Sequence, residues 1–598
     1  MSVSREQEVA ALAEAKGAVP RAATRATYHL RRYMPLYVFG TVWALMIGLF
    51  PTINHDGNST QLAGDATGQS GNVAPGQSES GPTAADGSVN FDTGATLPSG
   101  ASRSTGSSNS RVGGAISPPP AVGSGVTVGG VACKPGVRQI PFSQYAPPCV
   151  AKFTGNNGGV TSRGVTDKTI KITIKRNSDA SGPNAQAVDQ VNKSAGNATV
   201  QEGNDYGMEY VQWFNKMFEL YGRRVELNIF DGQGNGTEEA QSKGQQAACA
   251  DATNIALTQK SFGAVAWGFG YMSQPFSECA AQQKLYVSLG APYFPERDFK
   301  KWNPYVWAGV MECERISHDV AEYIGKRLAH KNAKWAGDLA LQNAQRRFAT
   351  YVPDNDGYQH CTDLTQEDLK TKYNTTVEPR YSYALDVSQF PSEAARGIVQ
   401  FQAAKVSTVV MACDPLSSVF LTQAANKQRY RPEWLSIGVA AQDTNGFARL
   451  WDQEEVDGHL FGMSQIGTDS KVYSQTGEAA LAYKAATGKS TFPTGAALTY
   501  YFLLQLFNQL QAAGPNLTPQ NIAIGTHNLP AGGGDTAAVG TWSFKDDHTA
   551  IDDSREIYYE GNATGFDGKK GAYLETYGGR RFSAGNWPAE DPPIYPGK

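Results

Sequence analysis

The sequence predicts an α/β protein whose main part folds into two Rossmann-like lobes, each built on a parallel sheet. Short β-rich segments alternate with helical segments, and this alternation restarts about halfway along the chain. Strands that alternate with helices form right-handed βαβ units on a parallel sheet. Because the chain has 598 residues, it is long enough to form two such lobes.

The first series of predicted elements runs from residue 169 to residue 289. An apolar stripe with helical spacing, which includes Phe214 and Phe218, predicts its first helix. Segments rich in β-branched and aromatic residues, bounded by turn signals, predict its strands. In order, we expect a strand at Thr169–Lys175, a helix at about 205–221, a strand at Arg224–Phe230, a helix at Thr237–Ala250, a strand at Phe262–Trp267, a helix at about 274–283 and a strand at Leu285–Leu289.

The second series begins with a predicted helix near residue 317. Ligands bind at the carboxyl ends of the strands in such sheets, so two facing lobes would enclose a cleft. In order, we expect a helix at about 317–330, a strand at Arg347–Val352, a helix at 392–404, a strand at Val406–Ala412, a helix at 416–428, a strand at Trp434–Ile437 and a long helix at about 495–513.

An apolar run without charged residues extends from Tyr33 to Ile53. As a helix it is just long enough to cross the hydrocarbon core of a bilayer. Arginines precede it, so the positive-inside rule places residues 1–32 in the cytoplasm and the remainder outside the cell membrane. We therefore expect an uncleaved, single-pass transmembrane anchor at residues 33–53. The alternative is a cleaved export signal, but the run is long and ends in Gly-Leu-Phe-Pro, a poor cleavage site.

Residues 54–130 have the composition of a flexible linker. They are dominated by Gly, Ser, Thr, Ala, Pro and Asn, and Phe91 is their only aromatic residue. Such a segment buries too little apolar surface to offset the entropy of ordering, so we expect it to be disordered. A shorter segment with two cysteines, residues 131–163, leads into the first lobe, and residues 586–598 form a C-terminal tail.

Composition and motifs argue against several classes of function. The net charge of −4 gives no basic excess, so nucleic acid is not an expected partner. The sequence contains no H-E-x-x-H, G-x-S-x-G or S-x-x-K motif, and its histidines do not fall in a known catalytic spacing. We therefore expect a protein that is not an enzyme and that binds no metal or cofactor.

Seven cysteines follow the apolar run, where disulfides persist if that part is extracytoplasmic. Cys133 and Cys149 would form a local link. Cys249–Cys279 and Cys361–Cys413 are plausible pairs, which would leave Cys313 free. The sequence alone does not fix this connectivity.

The order of many short segments resembles the type I periplasmic solute-binding proteins, the branch that includes the leucine/isoleucine/valine-binding proteins of ABC importers. The resemblance covers roughly Gly164 to Tyr559. It rests on GVTDKTIKI, the Ser181-Gly182-Pro183 loop, YGRRVELNIFDGQGN, SFGAVAWGFGYMSQP, KLYVSLGAPY, NPYVW, VVMACDP, NKQRYRPEW, QAAGPNLTP and GTWSFKDDH, which occur in the order of the family.

The resemblance implies a type I periplasmic binding protein fold, with a hinge of three crossovers between the lobes. The crossovers would lie near Trp307–Glu312, Phe461–Gly467 and Thr541–Phe544. Lobe one would comprise 164–310 and 468–540, and lobe two would comprise 311–467 and 541–585.

In lobe one, the resemblance implies ligand contacts in the loops after the third and fourth strands. The first loop, Gly268–Ser273, leads into a helix, whose free N–H groups and dipole suit a carboxylate. We expect Ser273 and Ala291 to contact the ligand, with Tyr271 stacking on it or donating a hydrogen bond. The alternative is an ordinary glycine-rich turn.

In lobe two, four residues at or after the ends of predicted strands are candidate ligand contacts: Tyr351, Asp354, Asp414 and Gln442. Asp414 could accept hydrogen bonds from an ammonium group or a sugar hydroxyl. Its alternative role is to cap the helix that begins near Leu416, and capping is also the alternative for the Gln442-Asp443 pair.

Together these features predict a membrane-anchored, extracytoplasmic protein that captures a small polar solute, such as an amino acid or an amide, for an ABC permease. Hinge closure around the solute would be its mechanism. Two alternatives stay open: an anchored ligand sensor, and a surface interaction protein that reuses the fold.

Overall fold

The structure is a computed structural model that describes residues 115–181, 198–265, 273–290 and 293–596, together with residues 186, 189–190 and 193–194. The predicted cytoplasmic tail, the anchor at residues 33–53 and most of the linker lie outside this part. Within it, no helix is long and apolar enough to span a membrane.

The strands are short and mostly buried. They are β1 (Thr169–Arg176), β2 (Arg224–Asp231), β3 (Gly263–Val265), β4 (Tyr286–Leu289), β5 (Val306–Ala308), β6 (Phe348–Pro353), β7 (Arg380–Tyr383), β8 (Thr408–Met411), β9 (Glu433–Ser436), β10 (Leu460–Ser464), β11 (Ser554–Thr564), β12 (Lys570–Glu575) and β13 (Arg581–Phe582).

The helices separate most of the parallel strands. They are α1 (Val200–Met217), α2 (Gly236–Ala240), α3 (Gln245–Thr253), α4 (Gln274–Gln282), α5 (Glu296–Trp302), α6 (Cys313–Tyr323), α7 (Leu339–Gln342), α8 (Asp356–Tyr373), α9 (Phe390–Ala403), α10 (Pro415–Lys427), α11 (Asn445–Ala448), α12 (Gln453–Val456), α13 (Asp469–Val472), α14 (Glu478–Thr487), α15 (Ala496–Ala512) and α16 (Pro519–His527).

Two sheets confirm the predicted α/β class. The first has the order β2-β1-β3-β4-β5, and all of its pairs are parallel. The second has the order β12-β11-β10-β9-β8-β6-β7, with β13 beside β11. Its β10-β9-β8-β6-β7 part is parallel, and β11, β12 and β13 pair antiparallel. Parallel sheets with helices between their strands are the architecture that the alternating pattern predicted.

One predicted helix is divided in the structure. The sequence predicted a single helix over Thr237–Ala250, but α2 ends at Ala240 and α3 begins at Gln245. Ser242 and Gly244 both have positive φ angles, of 57° and 70°. A left-handed residue ends an α-helix, so this turn separates the two helices. It also projects residues 240–242 toward the other lobe.

The chain passes between the two sheets three times, after β5, after β10 and before β11. Arg315 ties the first passage to the third, since its guanidinium pairs with Glu312 at 2.7 Å and with Asp547 at 3.0 Å. The backbone N–H of Met311 donates to Gln465 Oε1 at 3.1 Å, which ties the first passage to the second. The three segments therefore form one connected hinge region.

The segment before β1 is held to the domain. Residues 115–130, which lie in the predicted linker, form isolated bridges such as Val122 to Val150. Tyr145 is buried against Tyr501 and Trp542, and its hydroxyl donates to Gly540 O at 3.0 Å. The segment thus joins helix α15 of the first lobe to the third crossover.

The disulfides correct one predicted pair. Cys133–Cys149 and Cys249–Cys279 are bonded as expected, with Cα atoms 5.7 and 5.1 Å apart. The prediction of Cys361–Cys413 was wrong, because Cys361 is bonded to Cys313, and Cys413 is a buried free thiol. Cys313 and Cys361 lie on α6 and α8, which pack side by side, whereas Cys413 follows β8 in the sheet.

Candidate functional site

The two lobes meet through direct hydrogen bonds between the turn after α2 and lobe two. Asn355, just before α8, donates to the carbonyl of Ala240 at 3.0 Å and to Ser242 Oγ at 2.9 Å. Gln241 donates from Nε2 to the carbonyl of Leu385 at 2.7 Å. These contacts join loops that follow the carboxyl ends of β2, β6 and β7, where an α/β cleft is expected.

A second contact between the lobes lies near the hinge. The ring of Tyr293, which follows β4, packs on that of Tyr358 in α8, with centroids 4.7 Å apart. The N–H of Cys313 donates to the carbonyl of Phe294 at 3.0 Å. The lobes are therefore in contact both near the hinge and at the α2 turn, as in a closed arrangement of a two-lobed protein.

In lobe one, Ser273 begins helix α4 as its N-cap, because its Oγ accepts from Phe276 N at 3.3 Å. The same hydroxyl donates to a carboxylate oxygen of Glu239 in α2. Ser273 and Glu239 are both buried. The start of this helix, where the sequence predicted a solute carboxylate, therefore holds a carboxylate of the protein itself.

Lys175, near the end of β1, neutralises part of this site. Its Nζ lies 2.8 Å from Glu239 Oε1 and 3.7 Å from Asp251 Oδ2, and all three side chains are fully buried. It also donates to Asn177 Oδ1 at 2.5 Å. A buried charge is tolerated only when it is paired and hydrogen-bonded, which this arrangement provides.

The loop after β2 closes over the same carboxylates. The N–H groups of Gln233 and Gly234 donate to Asp251 at 2.7 and 2.9 Å. A Cβ on Gly234 would lie 1.9 Å from Glu239 Oε1, so a larger residue there would displace this carboxylate. The group of Lys175, Glu239, Asp251, Asn177 and Ser273, which we call the lobe-one charge cluster, is therefore enclosed by backbone.

In lobe two, Tyr351 and Asp414 are connected through Tyr383. The ring of Tyr351 stacks on that of Tyr383, with centroids 4.4 Å apart, and the Tyr383 hydroxyl donates to Asp414 Oδ2 at 2.5 Å. Asp414 Oδ1 accepts from the N–H groups of Leu416 and Ser417, both at 2.9 Å. Asp414 thus caps α10, which was its alternative interpretation, while remaining partly exposed.

Gln442 lies on the other side of the free thiol. Its Nε2 donates to the carbonyl of Cys413 at 2.5 Å and contacts Cys413 Sγ at 3.2 Å. Its Oε1 is buried and has no hydrogen-bond partner among the described residues, and the same is true of the Tyr351 hydroxyl. Burial raises the pKa of the Cys413 thiol to about 12, so this cysteine is protonated at neutral pH.

The remaining predicted residues are placed differently. Asp354 is exposed on the loop after β6, one residue before Asn355. Tyr271 and Ala291 lie outside the described residues. The structure therefore brings Tyr351, Asp414 and Gln442 together. Asp354 lies apart from them, on the exposed loop where lobe two contacts lobe one.

Sequence reasoning missed Lys175, Glu239 and Asn355. Lys175 ends the TIKITIK strand, and a lysine among alternating apolar residues looks like a solvated position. Glu239 lay within the helix predicted at Thr237–Ala250, where nothing distinguishes it from an ordinary helical glutamate. Asn355 lies between two aspartates in an apparent turn. No local pattern marks these residues, because their partners are distant in the sequence.

No family model and no curated protein sequence matches this chain. A fatty acid ABC transporter substrate-binding protein from Thermomonospora curvata matches its structure with a TM-score of 0.50 and 13% identity, over 73% of this chain and 98% of the other.

Two further solved structures are similar to the chain. A solute-binding protein of an ABC transporter from R. palustris, in complex with 4-hydroxybenzoate, has a TM-score of 0.48 and 12% identity, over 70% of this chain and 99% of the other. The branched-chain amino acid transporter substrate-binding protein LivJ from Streptococcus pneumoniae has a TM-score of 0.44 and 14% identity, over 68% and 100%.

The fold of this chain is therefore the type I periplasmic binding protein fold, which confirms the resemblance seen in the sequence. The neighbours are ABC transporter substrate-binding proteins, and none of the three is described as an enzyme. At 13% identity the first of these likenesses shows the fold and leaves the solute open.

Proposed function

We propose that this chain is a membrane-anchored, extracytoplasmic solute-binding protein that captures a small polar solute between its lobes for an ABC-type importer. The observation that carries the proposal is the set of direct hydrogen bonds from Asn355 and Gln241 across the lobes, opposite a hinge tied together by Arg315. Such contacts allow two lobes to close and open around a ligand.

The energetics fit a ligand-controlled closure. Each hydrogen bond between neutral groups contributes about 0.5–1.5 kcal/mol, so the three bonds between the lobes together favour the closed form by about 1.5–4.5 kcal/mol. A solute that contacts both lobes would add its differential affinity and shift the population toward closure. In this mechanism the protein performs no chemistry on the solute.

The proposed location rests on the N-terminal sequence. The uncharged run at residues 33–53, the arginines before it and the linker after it support an anchor that presents the domain outside the membrane. The disulfides Cys133–Cys149, Cys249–Cys279 and Cys313–Cys361 support an oxidising compartment. An ABC permease in the same membrane is the proposed partner.

A solute screen on the full-length protein in detergent tests the proposal. A solute that binds only the native state should add about 2.7 kcal/mol to stability at a hundred times its dissociation constant. Spin labels on cysteines introduced at Leu257 and Val399, exposed positions in the two lobes, should then report a shorter or narrower distance distribution. If amino acids, amides, sugars and amines all leave both readouts unchanged, the proposal fails.

The alternatives give different results in the same system. An anchored sensor would close on its solute but co-purify with a signalling protein instead of a permease. A surface interaction protein would bind no solute and would bind a protein partner through the outside of its lobes. The rim hydrogen bonds favour a cleft that closes, so we place the solute-binding role first.

A further inference from the structure

Two groups of the lobe-one charge cluster that could meet a solute carboxylate, Ser273 Oγ and Lys175 Nζ, are already engaged within the cluster. Ser273 Oγ donates to Glu239, and Lys175 Nζ is shared by Glu239, Asp251 and Asn177. One cation therefore faces two carboxylates, which leaves this part of lobe one negative. The internal stretches outside the described residues contain no Asp, Glu, Lys or Arg, so their sequence adds no compensating charge.

The next cation along this edge of lobe one is also paired. Arg176 follows Lys175 at the end of β1, and its guanidinium lies 2.6 Å from Asp231 Oδ1 at the end of β2. A solute carboxylate here would have to compete with a carboxylate already in place. Like charges brought together in a partly desolvated cleft repel each other, so this competition is unfavourable.

The facing edge of lobe two is acidic throughout. The loops that follow β6, β7, β8 and β9 contain no Lys, Arg or His. Asp354, Asp386 and Asp414 lie in these loops, and Asp356 begins helix α8 directly after the first of them. Asp354 and Asp356 are exposed, and Asp386 and Asp414 are partly exposed. Hydrogen bonds from Ser388 and Gln389, and then the charge of Lys243 on the turn after α2, lower the pKa of Asp386, so this carboxylate already has partners. The other three aspartates leave the edge with an excess of negative charge, which attracts ions of the opposite sign.

A buried amide beside Asp414 also has an acceptor that no donor satisfies among the described residues. Gln442 is fully buried, and the bond from its Nε2 to the Cys413 carbonyl fixes the orientation of its amide. Its Oε1, an acceptor, is left without a partner among the described residues. Because a buried unpaired acceptor costs free energy, a group that brings N–H donors to this edge would stabilise it.

We infer that the solute is a cationic amine that carries no carboxylate, held by the acidic edge of lobe two against the lobe-one charge cluster. This inference rests on the proposed function. An ammonium group offers three donors and no acceptor, which matches an edge that presents carboxylate and amide oxygens. A zwitterionic amino acid would bring the carboxylate that Glu239 opposes.

Isothermal titration of the full-length protein with matched four-carbon probes tests the inference. The first four probes are 1,4-diaminobutane, 4-aminobutyrate, butyramide and succinate. Amines, amides and acids of other chain lengths, and sugars, are titrated next. We expect the tightest solute to be an amine without a carboxylate, at least tenfold tighter than its carboxylate-bearing counterpart. This affinity should fall as salt is raised, because surface charges are screened.

Any other order of solute affinities overturns the inference. A tightest solute that is neutral or carries a carboxylate refutes the cationic class and leaves the proposed function standing. If no solute of any class binds, the proposed function and the inference fail together.

A pair of variants checks that the acidic edge is responsible. The double variant Asp354→Asn with Asp356→Asn should weaken amine binding several-fold and reduce its salt dependence. The control is Glu367→Gln, an exposed position on the same helix α8, eleven residues beyond Asp356. This control should bind the amine as the wild type does. Equal effects of the two changes would show that the binding does not depend on the edge.

Discussion

The side-chain amide of Asn355 in lobe two donates hydrogen bonds to both Ala240 and Ser242 in lobe one, at 3.0 and 2.9 Å. Its oxygen accepts from Gly357 N at 3.0 Å and caps helix α8. One residue thus starts the helix at the rim of lobe two and joins the lobes. Ala240 is adjacent in the chain to Glu239 of the lobe-one charge cluster, so the contact between the lobes and the cluster involve the same short segment.

The change Asn355→Asp should favour the open form. An aspartate keeps the oxygen that caps α8 but has no N–H group for Ala240 and Ser242. Two lost hydrogen bonds of about 1 kcal/mol each should shift the open/closed ratio by roughly tenfold or more. Distances between spin labels on the two lobes measure this ratio. The matched control is Asn528→Asp, which removes a bond to Ile524 within lobe one; an equal shift in the control would contradict the prediction.

The change Glu239→Ala should destabilise the protein strongly. It would leave the fully buried Lys175 with Asp251, 3.7 Å away, as its remaining carboxylate partner, and Ser273 without its acceptor. Breaking a buried ion pair costs about 3–5 kcal/mol. Denaturant unfolding measures the loss.

The control for this change is Glu226→Ala, which removes an exposed pair with Arg224. Exposed pairs contribute about 0–1 kcal/mol, so this variant should unfold almost as the wild type does. Similar losses in the two variants would mean that the lobe-one charge cluster does not contribute to the fold as described.

Alkylation should distinguish the three cysteines of lobe two. Cys413 is buried, and burial raises the pKa of its thiol to about 12, so it should not react in the native protein. Unfolding without reductant should expose a single reactive thiol, Cys413, and peptide mapping should find Cys313 linked to Cys361. Recovery of label on Cys313 would instead support the pairing that the sequence suggested.

Loss of the Cys313–Cys361 bond should lower stability by about 2–4 kcal/mol, because the bond closes a loop of 48 residues in the unfolded chain. The double change Cys313→Ser with Cys361→Ser tests this by thermal unfolding. Cys413→Ser is the comparison, since it removes a buried thiol and leaves all three bonds in place. A smaller loss in the double variant than in Cys413→Ser would contradict the prediction.

Stability should fall between pH 5 and pH 7 because of buried carboxyl groups. Burial raises the pKa of Asp443 to about 7, and the nearby Arg581 only partly offsets this effect. In this interval the carboxyl group of Asp443 is already ionised in the unfolded chain, whereas the folded protein keeps it protonated. The free energy of unfolding therefore decreases as pH rises, and this contribution levels off above about pH 7.

The change Asp443→Asn should make the pH profile shallower and stabilise the protein at pH 8, by at most about 4 kcal/mol. An asparagine retains an acceptor for Ser464, which donates to Asp443 Oδ2 at 2.5 Å. Melting temperatures from pH 5 to pH 8 measure the slope. Asp363→Asn, at an exposed position, should run parallel to the wild type. An Asp443→Asn profile as steep as that of the wild type would disprove the prediction.

Much of the fold could be predicted from the sequence, because the local patterns agree with the final structure. The strand predicted at Thr169–Lys175 and the helix predicted at 495–513 match β1 and α15 within about one residue at each end. The interrupted helix at residues 237–250 was not readable, since Ser242 adopts a left-handed conformation that its residue type does not signal.

Only part of the candidate site could be predicted from the sequence. Tyr351, Asp414 and Gln442 were predicted because polar residues after parallel strands converge at one edge of a sheet. The role of Ser273 was not predicted. The sequence around a serine that begins a helix is the same whether its hydroxyl binds a solute carboxylate or a carboxylate of the protein. The partner that decides this, Glu239, lies 34 residues away in the chain.

The sequence by itself determined the alternation of strands and helices, the two-lobed class and the apolar run at residues 33–53, because each of these follows from local composition or spacing. It suggested two of the three disulfides without fixing the connectivity. Only the tertiary structure decided that Cys313 pairs with Cys361, that Glu239 occupies the start of α4 and that Asn355 bridges the lobes. Those relationships join segments distant in sequence, and packing, which no local pattern encodes, brings them into contact.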